Sequence, residues 1–235
     1  MEPAEYIDNF YLQLPNSVAI IGSSKSGKTT LLSRILDNLP FVTCECPPVS
    51  KMVICYGHYQ PVYNKMIASV KKFYPNVEVE MHNGYPEEQF LSRDFWKIPN
   101  GSQMIIIMDD ISDEIKPSFE KMLRGTLHHN SASLFYLSQD HSSEPKVVKN
   151  ALRNVAYYFL TKSAHSGILL SDLNRKTHLY CPKFLFSAYS KVMERKKKDD
   201  IYPYLLIDLT VDGDTKNSVR TGIFDGEAAF IFRPV

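Results

Sequence analysis

Residues Gly22 to Thr29 read GSSKSGKT and satisfy the pattern G-x-x-x-x-G-K-[ST] at every fixed position. Residues of these types at this spacing suit one chemistry. The glycines let the backbone curl until successive N–H groups face a common point, and a polyphosphate is the ligand that can use them. Lys28 is then expected to reach the β- and γ-phosphates, and Thr29 to offer its hydroxyl to Mg2+. The expected phosphate-binding residues are Gly22, Ser23, Ser24, Lys25, Ser26, Gly27, Lys28, Thr29 and Thr30. A helix starting here would aim its positive N-terminal end at the same anion. A chance match in an ordinary Gly/Ser loop is the bland alternative. An apolar run before the loop and an amphipathic run after it argue against that alternative.

A second constellation lies downstream. The run MIIIM at Met104–Met108 ends in Asp109-Asp110. In loop-type NTPases an acid at such a strand end helps to hold Mg2+, and a second can activate the attacking water. We assign Asp109 to the metal and Asp110 to the water, against the plain reading of two carboxylates opening an exposed turn. Gln139 closes the next apolar run, SLFYLS, where it could touch the γ-phosphate, orient water or simply begin a turn. Arg124 lies between the two runs and is the first candidate for an arginine acting on a neighbouring subunit's phosphate. Arg153 is the second candidate, and a surface arginine without a role is the third reading.

These groups need elements to hold them. Ser17–Ile21 reads as a strand running into the loop, and Lys28–Leu39 as a helix with Leu31, Leu32, Ile35 and Leu36 on one side. Met52–Tyr56 and Val77–Met81 read as strands. Between them Pro61–Phe73 reads as a helix with Val62, Met66, Ile67, Val70 and Phe73 at helical spacing. A strand at Met104–Met108, a helix over Ser118–Leu127 and a strand at Ser133–Ser138 follow. Val155–Thr161, Tyr204–Leu209 and Ala228–Phe232 complete the strands. Strands alternating with helices predict an α/β fold with a mostly parallel central sheet flanked by helices. The polar end of the strand after the acidic one favours the ASCE branch, in which an extra strand separates the loop strand from the acid strand. No Pro- or Gly-rich linker cuts the chain, so a single domain over residues 1–235 is expected, with its core at about 14–227.

The 235 residues carry a net charge of +1, so any nucleic-acid contact must come from a local patch. The run Arg195–Lys198 within a predicted helix over Pro182–Asp200 is such a patch. Asp199-Asp200 follow at once and favour a solvated helix end. Cys44 and Cys46 form a lone C-x-C without a second pair, which does not suit a zinc site. Cys55 lies in an apolar run and reads as core. With Cys181 the total is four cysteines, too few for a disulfide framework. Adjacent His128 and His129 would point apart on a helix and so rarely share an ion. The N-terminus has no continuous apolar region of a signal peptide, and no run approaches the roughly 20 apolar residues of a membrane span. An intracellular location is expected.

Four stretches resemble the genome-packaging ATPases of double-stranded DNA viruses: GSSKSGKTTLL, CYGHYQPVYNKM, the stretch from MDDISDE through RGTLHHNSASLFYLSQD, and YPYLLIDLTVDGDTKNSVRTGIFDGE. The relatives in view are the poxvirus enzymes and those of adintoviruses and Maverick/Polinton elements, within the FtsK–HerA group. At Asp140 those relatives commonly carry Asn. The resemblance implies a motor that uses ATP and Mg2+ to drive double-stranded DNA into a preformed capsid. It implies a homo-oligomeric ring working with capsid, portal or vertex proteins. The setting would be the host nucleus, a cytoplasmic virus factory or the virion. Two rival classes remain at this stage. One is a loop-type nucleoside or nucleotide kinase, which an arginine-rich lid would mark. The other is a nucleotide-gated interaction module that hydrolyses little.

Overall fold

The computed structural model describes residues 4–5, 10–44, 46–139, 144–163, 165–177, 182–194, 202–210, 217–227 and 229–233. Asp140, Cys181, the basic run Arg195–Lys198 and Asp199-Asp200 lie outside the described residues. In chain order the strands are β1 (Ala4–Glu5), β2 (Leu12–Gln13), β3 (Ser17–Ile21), β4 (Thr43–Cys44), β5 (Val49–Tyr56), β6 (Glu78–Asn83), β7 (Gln103–Asp109), β8 (Ala132–Ser138), β9 (Tyr157–Leu160), β10 (Leu205–Asp208), β11 (Val219–Thr221) and β12 (Phe230–Phe232), and the α-helices are α1 (Lys28–Asp37), α2 (Leu39–Val42), α3 (Val62–Phe73), α4 (Glu87–Leu91), α5 (Ser118–Lys121), α6 (Leu127–His129), α7 (Lys146–Ala151), α8 (Ser166–Thr177) and α9 (Pro182–Met193). β2 and β4 pair as a small parallel ribbon, and the other ten form one sheet in the order β1-β12-β11-β10-β9-β3-β8-β7-β5-β6.

The strands from β6 to β9 in that order are mutually parallel, whereas the pairs β9–β10, β10–β11, β11–β12 and β12–β1 are antiparallel. The sheet is therefore mixed, which corrects the expectation of a mostly parallel one. The reason lies in the connections. A single crossover helix returns the chain to the strand's starting end and gives a parallel neighbour. Between β9 and β10 the chain instead forms two helices, α8 (Ser166–Thr177) and α9 (Pro182–Met193). A helix pair goes out and back, so β10 begins at the end where β9 stops. The links from β10 to β11 and from β11 to β12 contain no α-helix among the described residues, and their strands turn back on one another.

β3, β7 and β8 bury every residue, as unbroken apolar runs at a sheet centre must. Their alternate side chains feed two cores. Val18, Ile20, Ile105, Ile107, Phe135 and Leu137 face α1 (Lys28–Asp37) and α3 (Val62–Phe73). Ala19, Ile21, Ile106, Met108, Leu134 and Tyr136 share the opposite core with Phe119, Leu123, Val148, Leu170 and Leu185. Cys55 is fully buried in that second core, as read from its apolar run. The buried stripe of α3 is Tyr63, Met66, Ser69 and Val70, so Val62 and Ile67 sit at its margin rather than its centre.

The predicted helix Ser118–Leu127 is interrupted. An α-helical turn at Ser118–Lys121 passes into a π turn at Met122–Thr126 and back to α-helix at Leu127–His129. Among the described residues no helix is long and apolar enough to cross a membrane.

Candidate functional site

The loop between β3 and α1 is held from both sides. Gly22 N–H donates to the Ser138 carbonyl at the end of β8 over 3.1 Å, and Ser23 N–H to the Lys162 carbonyl just past β9 over 3.0 Å. Thr161 is fully buried against the loop, with its hydroxyl 2.7 Å from that of Ser26. A Cβ on Gly22 would lie 1.9 Å from Thr161 Oγ1, so glycine is required there for packing. Lys25 and Gly27 have φ of 60° and 91°, the left-handed turns that let consecutive amides curl inward. Lys28 folds back beneath the loop, and its Nζ donates to the carbonyls of Gly22 at 2.8 Å and Ser23 at 3.1 Å. Ser24, Lys25 and Thr30 are exposed, and Ser23, Ser26, Gly27 and Thr29 are half-buried.

The acid pair divides by strand geometry. Side chains alternate along β7, so Asp109 falls on the face of Ile105 and Ile107, toward α1 and α3. There its Oδ2 accepts from Tyr63 Oη at 3.0 Å, and the Thr29 hydroxyl is close enough to favour the ionised form of the same carboxylate. Burial holds the Asp109 carboxyl above its ordinary range. The Tyr63 bond, the charge of Lys28 and the Thr29 hydroxyl oppose that rise, and Asp110 adds to it. Burial likewise holds Lys28 below its ordinary value, opposed by Asp109 and Asp110. Each is a desolvated charge whose opposite lies close by.

These oxygens suit Mg2+. Magnesium takes one or two carboxylates, completes its shell with phosphate oxygens and keeps several waters. Asp109 and the Thr29 hydroxyl are hard oxygen donors at the loop. Among the described residues no cluster of three or more His, Cys, Asp or Glu could cage a metal without phosphate.

Asp110 leaves the strand in the left-handed region, at φ 58°, which costs a non-glycine residue about 1–3 kcal/mol. Gly57 makes room for it, because a Cβ there would lie 2.0 Å from the Asp110 carbonyl oxygen. The turn carries the Asp110 carboxylate to the surface, where Gln139 Nε2 donates to Oδ1 at 3.1 Å and His58 Nδ1 lies 3.4 Å from Oδ2. Lys28, Thr29, Asp109, Asp110 and Gln139 thus converge at the carboxyl ends of β3, β7 and β8. Parallel sheets bind ligands at these ends.

Arg124 is not part of this cluster. It projects from the π turn with its side chain 65% exposed and pairs with Glu120 over 2.5 Å. Arg153 sits exposed on the 3-10 turn Leu152–Asn154. The His128 and His129 rings lie 5.9 Å apart at the end of the interrupted helix.

Sequence reasoning passed over Gly57, His58, Tyr63, Thr161 and Glu144. Tyr63, Met66 and Val70 have helical spacing, so Tyr63 could have been found as a core-facing phenol near an acidic strand end. Glu144 could not have been read this way. It is buried, accepts from Tyr136 and Ser138, and is held above the usual carboxylate range by burial.

The chain matches no protein-family model and none of the curated proteins. Among solved structures it is similar to the cytoplasmic domain of EssC, with a TM-score of 0.46 and 16% sequence identity, over 85% of this chain and 41% of that chain. The chain thus spans less than half the length of that solved structure.

Proposed function

We propose that this protein is a Mg2+-dependent ATPase of the ASCE branch, acting as a ring-forming motor that moves double-stranded DNA into a viral capsid. The observation that carries the ATPase reading is the convergence of Lys28, Thr29, Asp109, Asp110 and Gln139 at three adjacent strand ends, with β8 lying between the loop strand and the acid strand. The loop amides and Lys28 bind the triphosphate. Thr29 and Asp109 would hold Mg2+, which supplies positive charge to the β- and γ-phosphate oxygens when bound. Asp110, outside the buried pocket and oriented by Gln139, takes a proton from the water that attacks the γ-phosphorus while ADP departs. Arg124 is assigned to the phosphate of a neighbouring subunit.

The motor and packaging reading rests on the four resembling sequence stretches. It carries the further proposals of a homo-oligomeric ring, double-stranded DNA as the track, capsid, portal or vertex proteins as partners, and action in the nucleus, a virus factory or the virion. The test is phosphate release with and without duplex DNA, combined with sedimentation with and without Mg–ATP. The expected result is DNA-stimulated turnover and ATP-promoted assembly. Transfer of phosphate to nucleosides instead of water would replace this reading with a kinase. ATP binding with no turnover under any condition would replace it with a nucleotide-gated module.

A further inference from the structure

The two sides of the loop face different parts of the sheet. β8 and β7, which carry Gln139 and the acid pair, lie on one side of β3, and β9 and β10 lie on the other. On the nucleotide reading, Lys28, Thr29 and Asp109 mark the γ-phosphate and metal end. The α-phosphate and nucleoside therefore leave toward β9 and β10. The α8–α9 pair delivers the start of β10 to this same end of the sheet, and the residues just before that start include Tyr202.

The Tyr202 ring lies against the loop. A Cβ on Gly27 would meet its Cγ at 2.2 Å, and Tyr202 is half-buried, so part of it stays open to solvent. Thr30, about one helical turn beyond Gly27, is exposed. A turn further along α1, Arg34 is latched to the same C-terminal region. It pairs with Glu227, its Cζ sits 4.0 Å over the Phe224 ring, and Tyr204 Oη donates to Glu227 Oε2 at 2.7 Å. The segment entering β10 thus lies against the start of α1 at Gly27, and its Tyr204 is tied through Glu227 to Arg34 further along α1, which braces the Tyr202 ring beside the loop.

We propose that Tyr202 is the stacking platform for the base of the bound nucleoside triphosphate, with the ribose passing over Thr30. This rests on the nucleotide reading above and adds the half of the ligand that the loop motif does not specify. Stacking uses the π-face that every base has, so the site should select weakly among bases.

The test is calorimetric titration of the full chain with Mg–ATP, Mg–GTP and Mg–tripolyphosphate. Tyr202→Leu keeps bulk against Gly27 but offers no aromatic face, and Tyr202→Phe keeps the face. The expected result for Tyr202→Leu is about 5- to 150-fold weaker ATP and GTP binding, with tripolyphosphate binding essentially unchanged. Tyr202→Phe should bind all three ligands as the parent does. Equal weakening of all three by Tyr202→Leu would make the ring a brace for the loop and overturn the proposal. Unchanged ATP binding in Tyr202→Leu would also overturn it. A parent protein that binds tripolyphosphate and ATP equally would reject the base site while leaving the phosphate loop standing. Failure of the parent to bind either ligand would reject the nucleotide reading itself and this proposal with it.

Discussion

Gln139 Nε2 donates to Asp110 Oδ1 over 3.1 Å, linking the ends of β8 and β7 across the exposed rim of the site. Asp109, one residue earlier, is 5% exposed and bonded instead to Tyr63. Neighbouring carboxylates in such different surroundings should fail differently. Asp110→Asn should bind Mg–ATP normally and lose about 10²–10⁴-fold in turnover, the usual contribution of a general base. Asp109→Asn should shift the Mg2+ concentration at half-maximal activity. A Mg2+ titration in which the two variants superimpose would refute the division of roles.

Tyr63 has no chemical part in this scheme, yet it fixes Asp109. Its phenol is buried, and burial followed by the Asp109 charge pushes it far above its normal range, so it stays a proton donor. Partners that orient a metal-binding side chain are typically worth about 10–100-fold in metal affinity. Tyr63→Phe should therefore weaken Mg2+ dependence by that order while ATP binding without Mg2+ is kept. A purely structural role would lower the melting temperature and leave the Mg2+ titration where it was.

Much of this arrangement was legible in the sequence. The loop, the acid pair and Gln139 sit at ends of runs with unambiguous patterns, and the strand cores fell where unbroken apolar residues placed them. What stayed hidden depends on where elements are sent in space. That β10 would run antiparallel follows from the helix pair before it, and no local pattern in Tyr204–Leu209 records it. Gly57 looked like any turn glycine until Asp110 needed the space. His58 and Tyr63 lie far from Asp109 and Asp110 in the chain, and only the pairing of β5 with β7, which sets Tyr56 opposite Asp109, brings them there.

The buried acid also sets a pH dependence of stability. The Asp109 carboxyl is raised in the fold, so the folded chain binds more protons than the unfolded one just above the ordinary aspartate value of about 3.9. Its contribution to stability is full below that value and is lost as pH climbs through the raised value. The attraction of Lys28 is already contained in that net direction. Asp109→Asn, neutral at every pH, should escape the loss, melting higher than the parent at pH 7 in the absence of nucleotide while losing activity. The difference between the two melting temperatures should shrink toward acid pH. A variant that melts lower at pH 7 would show that the ionised carboxylate stabilises the empty site.

Arg124 poses the sharpest test of the proposed ring. It stands outside the cluster within its own chain, on a π turn that re-aims side chains relative to a regular helix, and such turns are frequent at functional sites. Its exposed pairing with Glu120 is a surface i,i+4 contact, worth about 0.3–0.5 kcal/mol, so losing it should barely affect folding. If Arg124 completes a neighbour's site, Arg124→Ala should keep nucleotide affinity and stability but lose about 10³–10⁵-fold in turnover. Lys28→Ala should be equally inactive for a different reason, because it removes the cation beneath the loop. Mixing the two dead proteins then creates some interfaces that join an intact loop to an intact arginine. Activity should return partly, with a maximum at an intermediate ratio. Absence of recovery at every ratio, with mixed assembly confirmed by sedimentation, would exclude a trans role for Arg124. The same experiment on Arg153→Ala would then decide whether Arg153 serves instead.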